Sequence, residues 1–200
     1  MTRCDRLLVA GLVVVAGLAA VSPRLRGRAA DEPLPSRLTD GEFWRLSEES
    51  SEPNGYFQSD NLLSNEAYFQ HVMPELVQRT ESGGVYIGVG PEQNFTYMAA
   101  LKPQMAFIPD IRRGNLHLQL MYKALFELSE DRAEFVSRLF TRKRPVQLTS
   151  TSTVEDIFAA FANVEPSAQD LYQANFKAIE ERLTKQHGFA LSRDDLAGIE

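Results

Sequence analysis

The hydrophobic pattern changes character along the chain, and its sharpest feature lies near the middle. Val85 to Val89 is an almost unbroken apolar run, the pattern of a strand covered on both faces. Gly88 and Gly90 interrupt its end, and glycine there lets the backbone turn sharply and come close to another group. Asn94 to Leu101 opens a helix, and Lys102-Pro103 ends it. Met105 to Ile108 reads as a second strand, closed by Asp110. Strand, glycine turn, helix, strand and terminal acid predict an α/β unit with a parallel sheet.

Around this unit the period is helical. Ser64 caps a segment in which Phe69, Val72, Met73, Leu76 and Val77 recur at helix spacing, with Pro74 predicted to kink it or to start a new turn. Leu116 to Leu128 reads as a long amphipathic helix with Leu118, Met121, Leu125 and Leu128 inward. Further helices are predicted over Asp131 to Phe140, Val154 to Ala162, Ser167 to His187 and Asp194 to Ile199, the last capped by Ser192. Only two secure strands emerge, whereas a doubly wound sheet needs more. Either helices dominate a small sheet or the natural chain extends past Glu200. A chain that stops as a capped helix begins favours the extension.

The N-terminal part divides in two. Leu7 to Val21 is an uncharged, mostly apolar run behind Arg3 and Arg6. Its fifteen residues suit a signal-peptide core better than a full membrane span. Arg24, Arg26 and Arg28 follow it and pull their side of a retained anchor towards the cytoplasm. Residues 1–30 are therefore expected to be a hydrophobic leader helix, either a signal peptide or a membrane anchor. Export to the periplasm or a membrane tether through Leu7 to Val21 is the expectation, and a cytoplasmic-facing anchor is the alternative. Residues 31–55 are polar and read as a linker with one short helix capped at Thr39 or Asp40, with Phe43, Trp44 and Leu46 on its apolar side. Residues 56–200 form the main domain.

Composition narrows the function classes. The net charge is −6, and beyond residue 30 there are 16 basic against 26 acidic residues. Such a surface repels phosphate backbones, so no nucleic-acid partner is expected. Cys4 is the only cysteine, which leaves the main domain without a disulfide, a cysteine zinc site or a thiol nucleophile. His71, His117 and His187 have no partner at metal-ligand spacing, so no metal site is expected. The basic run Arg142-Lys143-Arg144 sits where a helix C-terminus favours cations.

The candidate chemistry gathers at the glycine turn. Asp110 follows Gly88 by twenty-two residues. In nucleotide-binding α/β units an acid at that position accepts hydrogen bonds from ribose hydroxyls while the glycine turn passes beneath the ligand. Ser59-Asp60-Asn61 and Ser64-Asn65-Glu66 add a dense group of hydrogen-bonding side chains upstream, where a ligand role competes with simple helix capping. The third glycine of the dinucleotide fingerprint is replaced by Gln93, which argues against a dinucleotide.

Those two upstream strings, with Gly88-Val89-Gly90-Pro91-Glu92-Gln93-Asn94-Phe95-Thr96-Tyr97 and Asp110-Ile111-Arg112-Arg113, resemble a family of uncharacterised bacterial proteins with a class I S-adenosylmethionine-dependent methyltransferase-like, Rossmann-like fold. The resemblance covers most of residues 56–200. It implies an incomplete Rossmann domain with a partial parallel sheet and a helix-rich C-terminal part, and S-adenosylmethionine as cofactor. The implied cofactor-binding residues are Gly88, Gly90, Glu92, Asn94, Asp110, Arg112, Asn65 and Glu66. It assigns no catalytic residue and no methyl acceptor. The sequence departs from the methyltransferase pattern at two positions: Tyr86 stands where an acid is usual, and Glu92 where a third glycine is frequent. Glu66 or Glu92 could supply the missing acid from another direction. A non-catalytic exported or tethered protein that retains a degenerate methyltransferase fold is the alternative.

Overall fold

The computed structural model describes residues 34–53, 55–58, 63–64, 67–166 and 169–200. The expected leader and its cleavage or anchoring lie outside the described residues, and among these no helix is long and apolar enough to cross a membrane. The elements run α1 (Asp40–Glu49), a 3₁₀ turn (Phe69–Val72), α2 (Met73–Arg79), β1 (Val85–Ile87), α3 (Gln93–Leu101), β2 (Met105–Phe107), α4 (Arg113–Leu128), α5 (Arg132–Leu139), α6 (Val154–Phe161), α7 (Gln169–Glu181) continuing into a π turn (Arg182–Gln186), and α8 (Arg193–Ile199). The chain is thus α/β and mostly helical.

The strands pair in parallel, with Val85 opposite Met105, Tyr86 opposite Ala106 and Ile87 opposite Phe107. This is the one sheet among the described residues, and it has two strands. The expected two-sided cover is not found: Val85, Ile87 and Val89 are exposed on alternating positions of β1 and its extension. Parallel sheets bury both faces when helices lie on both, and here the helices gather elsewhere.

The core lies among the helices. Leu120, Ala124 and Leu125 of α4 pack with Ile179, Leu183, Phe189 and Ile199. A smaller cluster joins Ala133 of α5, Leu148, and Ile157 and Phe161 of α6. The inward face of α4 is therefore rotated from the predicted one: Leu125 is buried as expected, but Leu118, Met121 and Leu128 are half-buried while Leu120 and Ala124 are enclosed. An apolar stripe this wide leaves its centre undetermined until the partner helices are placed.

Local signals set the helix ends. Thr39, Thr153 and Ser192 each accept from the backbone N–H three residues on, and Glu42, Asp156 and Asp195 reach back to complete capping boxes. Asp131 caps α5 by accepting from Glu134 N. Pro74 lies in the first turn of α2, so it starts a helix rather than kinking one, as its missing N–H allows. Gly188 closes the π turn at φ 69°.

Helix α1, expected as part of a linker, is docked on the domain. Phe43 and Trp44 pack against the core cluster through Phe189. Glu48 lies 3.9 Å from Arg113, and Lys123 sits over the Phe43 ring. Residues Pro35–Glu200 accordingly form one unit.

Candidate functional site

The site begins at the carboxyl edge of the two strands. Gly88 N–H donates to Phe107 O at 2.9 Å and Gly90 N–H to Pro109 O at 3.4 Å. These bonds carry the pairing past the strands and bring the glycine turn beside the turn that holds Asp110. Gly90 is buried with φ 80°, a conformation that favours glycine. A Cβ there would lie 3.6 Å from Asp110 Oδ2. Gly90 and Asp110, twenty residues apart, are therefore neighbours.

Gly88 is required for a different reason. A Cβ on it would fall 1.9 Å from Asn94 Oδ1 and 2.6 Å from the Tyr86 hydroxyl. The space above the first glycine is thus occupied by the protein's own side chains. Asn94 is buried, and its Nδ2 donates to Val89 O, Gly90 O and Pro91 O, with Pro91 nearest at 2.7 Å. Its Oδ1 accepts from Tyr86 at 2.6 Å. Asn94 is the internal tie of the turn, and Tyr86 closes it from the strand. Burial raises the Tyr86 phenol above its ordinary value, with Tyr97 adding to the effect, so the hydroxyl stays protonated and donates.

Asp110 is committed to Arg112. Its Oδ1 accepts from Arg112 N at 2.8 Å and Nε at 3.0 Å, and its Oδ2 accepts from Nη2 at 3.2 Å. The Arg112 side-chain hydrogen bonds hold this carboxyl below the usual range, against an opposing push from burial. Arg112 also lies over the Phe57 ring, 5.7 Å from its centroid. A ribose-type ligand at Asp110 has to share or displace this pair.

Glu92 is the N-cap residue of α3, but its side chain makes no capping bond to the helix. Its carboxylate instead accepts from Ser64 N at 3.2 Å and 3.4 Å. This contact joins the upstream polar string to the glycine turn across twenty-eight residues. Asn65 and Glu66 lie outside the described residues, as do 59–62. The first-turn N–H groups of Asn94 and Phe95 bond Pro91 O and Glu92 O, so they serve the turn itself.

Helix α4 forms the far wall. Gln119 Nε2 donates to Gly90 O at 3.4 Å, and Tyr122 meets Phe95 of α3 edge-on. One turn nearer the helix start, Asn115 is 2% exposed, and its Oδ1 has no hydrogen-bond partner among the described residues. Gln119 was not legible as a site group, because only the crossing of α4 over the turn brings it to Gly90.

The remaining sequence candidates lie apart from the turn. His117 is buried on the opposite side of α4, where Nε2 sits 2.8 Å from Asp195 Oδ1 and Arg113 Nε donates to the same oxygen at 2.6 Å. Asp195 Oδ2 accepts from Ser192 N and Oγ, so this cluster locks α8 to α4. The Arg113/His117 helical spacing and the Ser192/Asp195 box were its sequence signals. His187 joins Glu127 and Asp40, and His71 stands beside Tyr68. Among the described residues no group of three His, Cys, Asp or Glu side chains could hold a metal ion. Arg142 and Arg144 are taken up by the Val164 and Leu148 carbonyls and by Asp131.

Comparison with known proteins adds a family. Neither a curated protein nor a solved structure matches the chain. Residues 62–193 match the family described as Domain of unknown function (DUF7790), a span that contains the glycine turn, Asp110, the α4 wall and most of the helical core, and the chain belongs to that family.

Proposed function

We propose that the chain is an S-adenosylmethionine-binding, methyltransferase-like protein with a Rossmann-like partial sheet, whose methyl acceptor is unknown. The observation that carries this reading is the contact of Gly90 and Asp110 at the carboxyl edge of a parallel strand pair, where open α/β sheets place their ligands. Asp110 takes the ribose hydroxyls in this reading. Gly90 passes beneath the ligand, and Glu92 with the Ser64 segment lies on the side of the amino-acid part. Calorimetric titration tests it. Wild type binds S-adenosylmethionine, and Asp110→Ala weakens binding about ten-fold or more, the scale of a lost hydrogen bond to a charged group. No binding by wild type, or equal binding by the variant, overturns the reading.

A second reading has its own observation. Asn94 Oδ1 and the Tyr86 hydroxyl fill the space over Gly88, and Tyr86 stands where an acid is usual. This favours a non-catalytic protein that keeps the fold behind an export or tethering segment. Fractionation of a reporter fusion separates the two. A periplasmic domain, away from the cytoplasmic cofactor supply, supports the second reading, and a cytoplasmic one supports the first.

A further inference from the structure

We propose that His187 is a pH-sensitive latch, holding α1 on the domain while its ring carries two protons and releasing it when one is lost. The inference does not depend on what the glycine turn binds. The His187 side chain is 14% exposed and lies between carboxylates from two other elements. Nε2 is 2.5 Å from Glu127 Oε2 of α4. Nδ1 is 3.0 Å from Asp40 Oδ1, on the first residue of α1. Nδ1 is buried and is not aligned for a hydrogen bond, so its contact with Asp40 is one of charge.

Two ring nitrogens against two anions fit one state of the ring. A neutral imidazole has one N–H and one lone pair. With the hydrogen on Nε2, the Nδ1 lone pair faces the Asp40 carboxylate. With the hydrogen on Nδ1, the Nε2 lone pair faces Glu127. Only the imidazolium turns an N–H towards each.

The surrounding charges decide which contact fails when the proton leaves. Lys123 Nζ donates to the other oxygen of Glu127 at 2.5 Å. Against the upward push of burial, the Lys123 and His187 bonds hold the Glu127 carboxyl below its usual range. Glu127 therefore keeps a cation without the ring. Asp40 has no other ion pair among the described residues. On the ring's own turn, Lys185 pairs with Glu181 at 2.9 Å, and Arg182 offers its backbone oxygen to the His187 N–H at 3.1 Å. The contact that depends on the second proton is thus the one to α1. That helix is seated through Phe43 and Trp44 on Phe189, the ring on which His187 stacks. The sign follows from the charge. The closed arrangement favours the cation, so its stabilisation is present in acid and lost as pH rises through the histidine range, about pH 5 to 8.

Acrylamide quenching of Trp44, the single tryptophan, tests the latch on the full chain between about pH 5.5 and about pH 8.5, across the histidine range. In wild type the quenching constant is expected to rise about two-fold or more with pH, as α1 opens locally. His187→Gln should give one value throughout, close to the alkaline value of wild type. Asp40→Asn replaces a half-exposed carboxylate by an amide that can donate to a neutral ring, and should abolish most of the step even if His187→Gln fails to fold. His71 and His117 are intact in both variants, so a step of theirs would persist. A quenching constant that is flat or falls with pH in wild type overturns the latch. So does a full step retained in His187→Gln or in Asp40→Asn.

Discussion

The Trp44 indole lies stacked on the Phe189 ring, 5.0 Å between centroids and 16° between planes. This contact fixes α1 to the end of the α7 and π-turn segment, and the His187 ring also stacks on Phe189 at 5.1 Å. The His187 ring spans two elements: Nε2 is 2.5 Å from Glu127 Oε2 on α4, and Nδ1 is 3.0 Å from Asp40 Oδ1 on α1. Lys123 holds the other oxygen of Glu127.

The docking of α1 should depend on that ring. His187→Ala removes the stack and both carboxylate contacts, and is expected to cost about 2 kcal/mol and to loosen α1. Trp44 is the single tryptophan, so its fluorescence reports the change directly. A red-shifted emission at temperatures where the rest of the chain stays folded is the expected result. Emission unchanged from wild type would show that Phe43 and Trp44 hold α1 without the histidine.

Asp195 makes the chain sensitive to acid. Arg113 hydrogen bonding, against the opposing effect of burial and with help from His117 and Ser192, holds its carboxyl far below the usual range. A depressed folded value means that the ionised form stabilises the native state. That contribution is complete above the unfolded value near 3.9 and is lost as pH falls through the folded one. Denaturant titrations should show stability dropping below about pH 4. Asp195→Asn should cost about 3 kcal/mol at neutral pH, the scale for breaking a buried pair, and should flatten the acid dependence. A wild-type acid slope retained in Asp195→Asn would move the effect to another carboxylate.

Two glycines should respond differently to alanine. Gly88→Ala drives a Cβ into Asn94 Oδ1, and the turn tied by Asn94 cannot yield without losing its bonds. A loss of about 2 kcal/mol is expected, in the range of overpacked sites. Gly84→Ala, four residues earlier, meets nothing within 4 Å and should stay within about 0.5 kcal/mol of wild type. Thermal unfolding of both variants decides, and equal Tm values would contradict the packing over Gly88.

Arg112 sets the charge state of Asp110. Arg112→Gln removes the guanidinium bonds that depress the Asp110 carboxyl, so its titration should move up towards the ordinary carboxylate range. The sign follows: stability contributed by this ionised group, complete above its unfolded value, should be smaller in the variant and lost at higher pH. Carboxyl NMR titration of wild type and Arg112→Gln reads the shift, and identical curves would mean that the backbone N–H groups alone hold the anion.

The elements that sequence determined are those fixed by neighbours in the chain. Capping boxes at Thr39, Thr153 and Ser192, the helix start at Pro74 and the stop at Gly188 use contacts within a few residues, so residue type and spacing suffice. The glycine turn and the pairing of its strand with the one ending at Asp110 were legible for the same reason, because a strand, a tight turn and a helix leave few ways back to a parallel neighbour. Tertiary structure alone decided what those residues do. Only the folded chain shows that Gly88 makes room for Asn94 and Tyr86 rather than standing open, that Asp110 is held by Arg112, that Glu92 reaches Ser64, and that Asn115 is left with an unpaired oxygen. The Glu92–Ser64 contact depends on a distant loop laid against the turn, whereas the Gly88 packing and the Asp110–Arg112 pair are local contacts, chosen among several that the neighbouring side chains could make. Hydrophobic periodicity cannot encode such contacts, since it records which face is apolar and not what that face will meet.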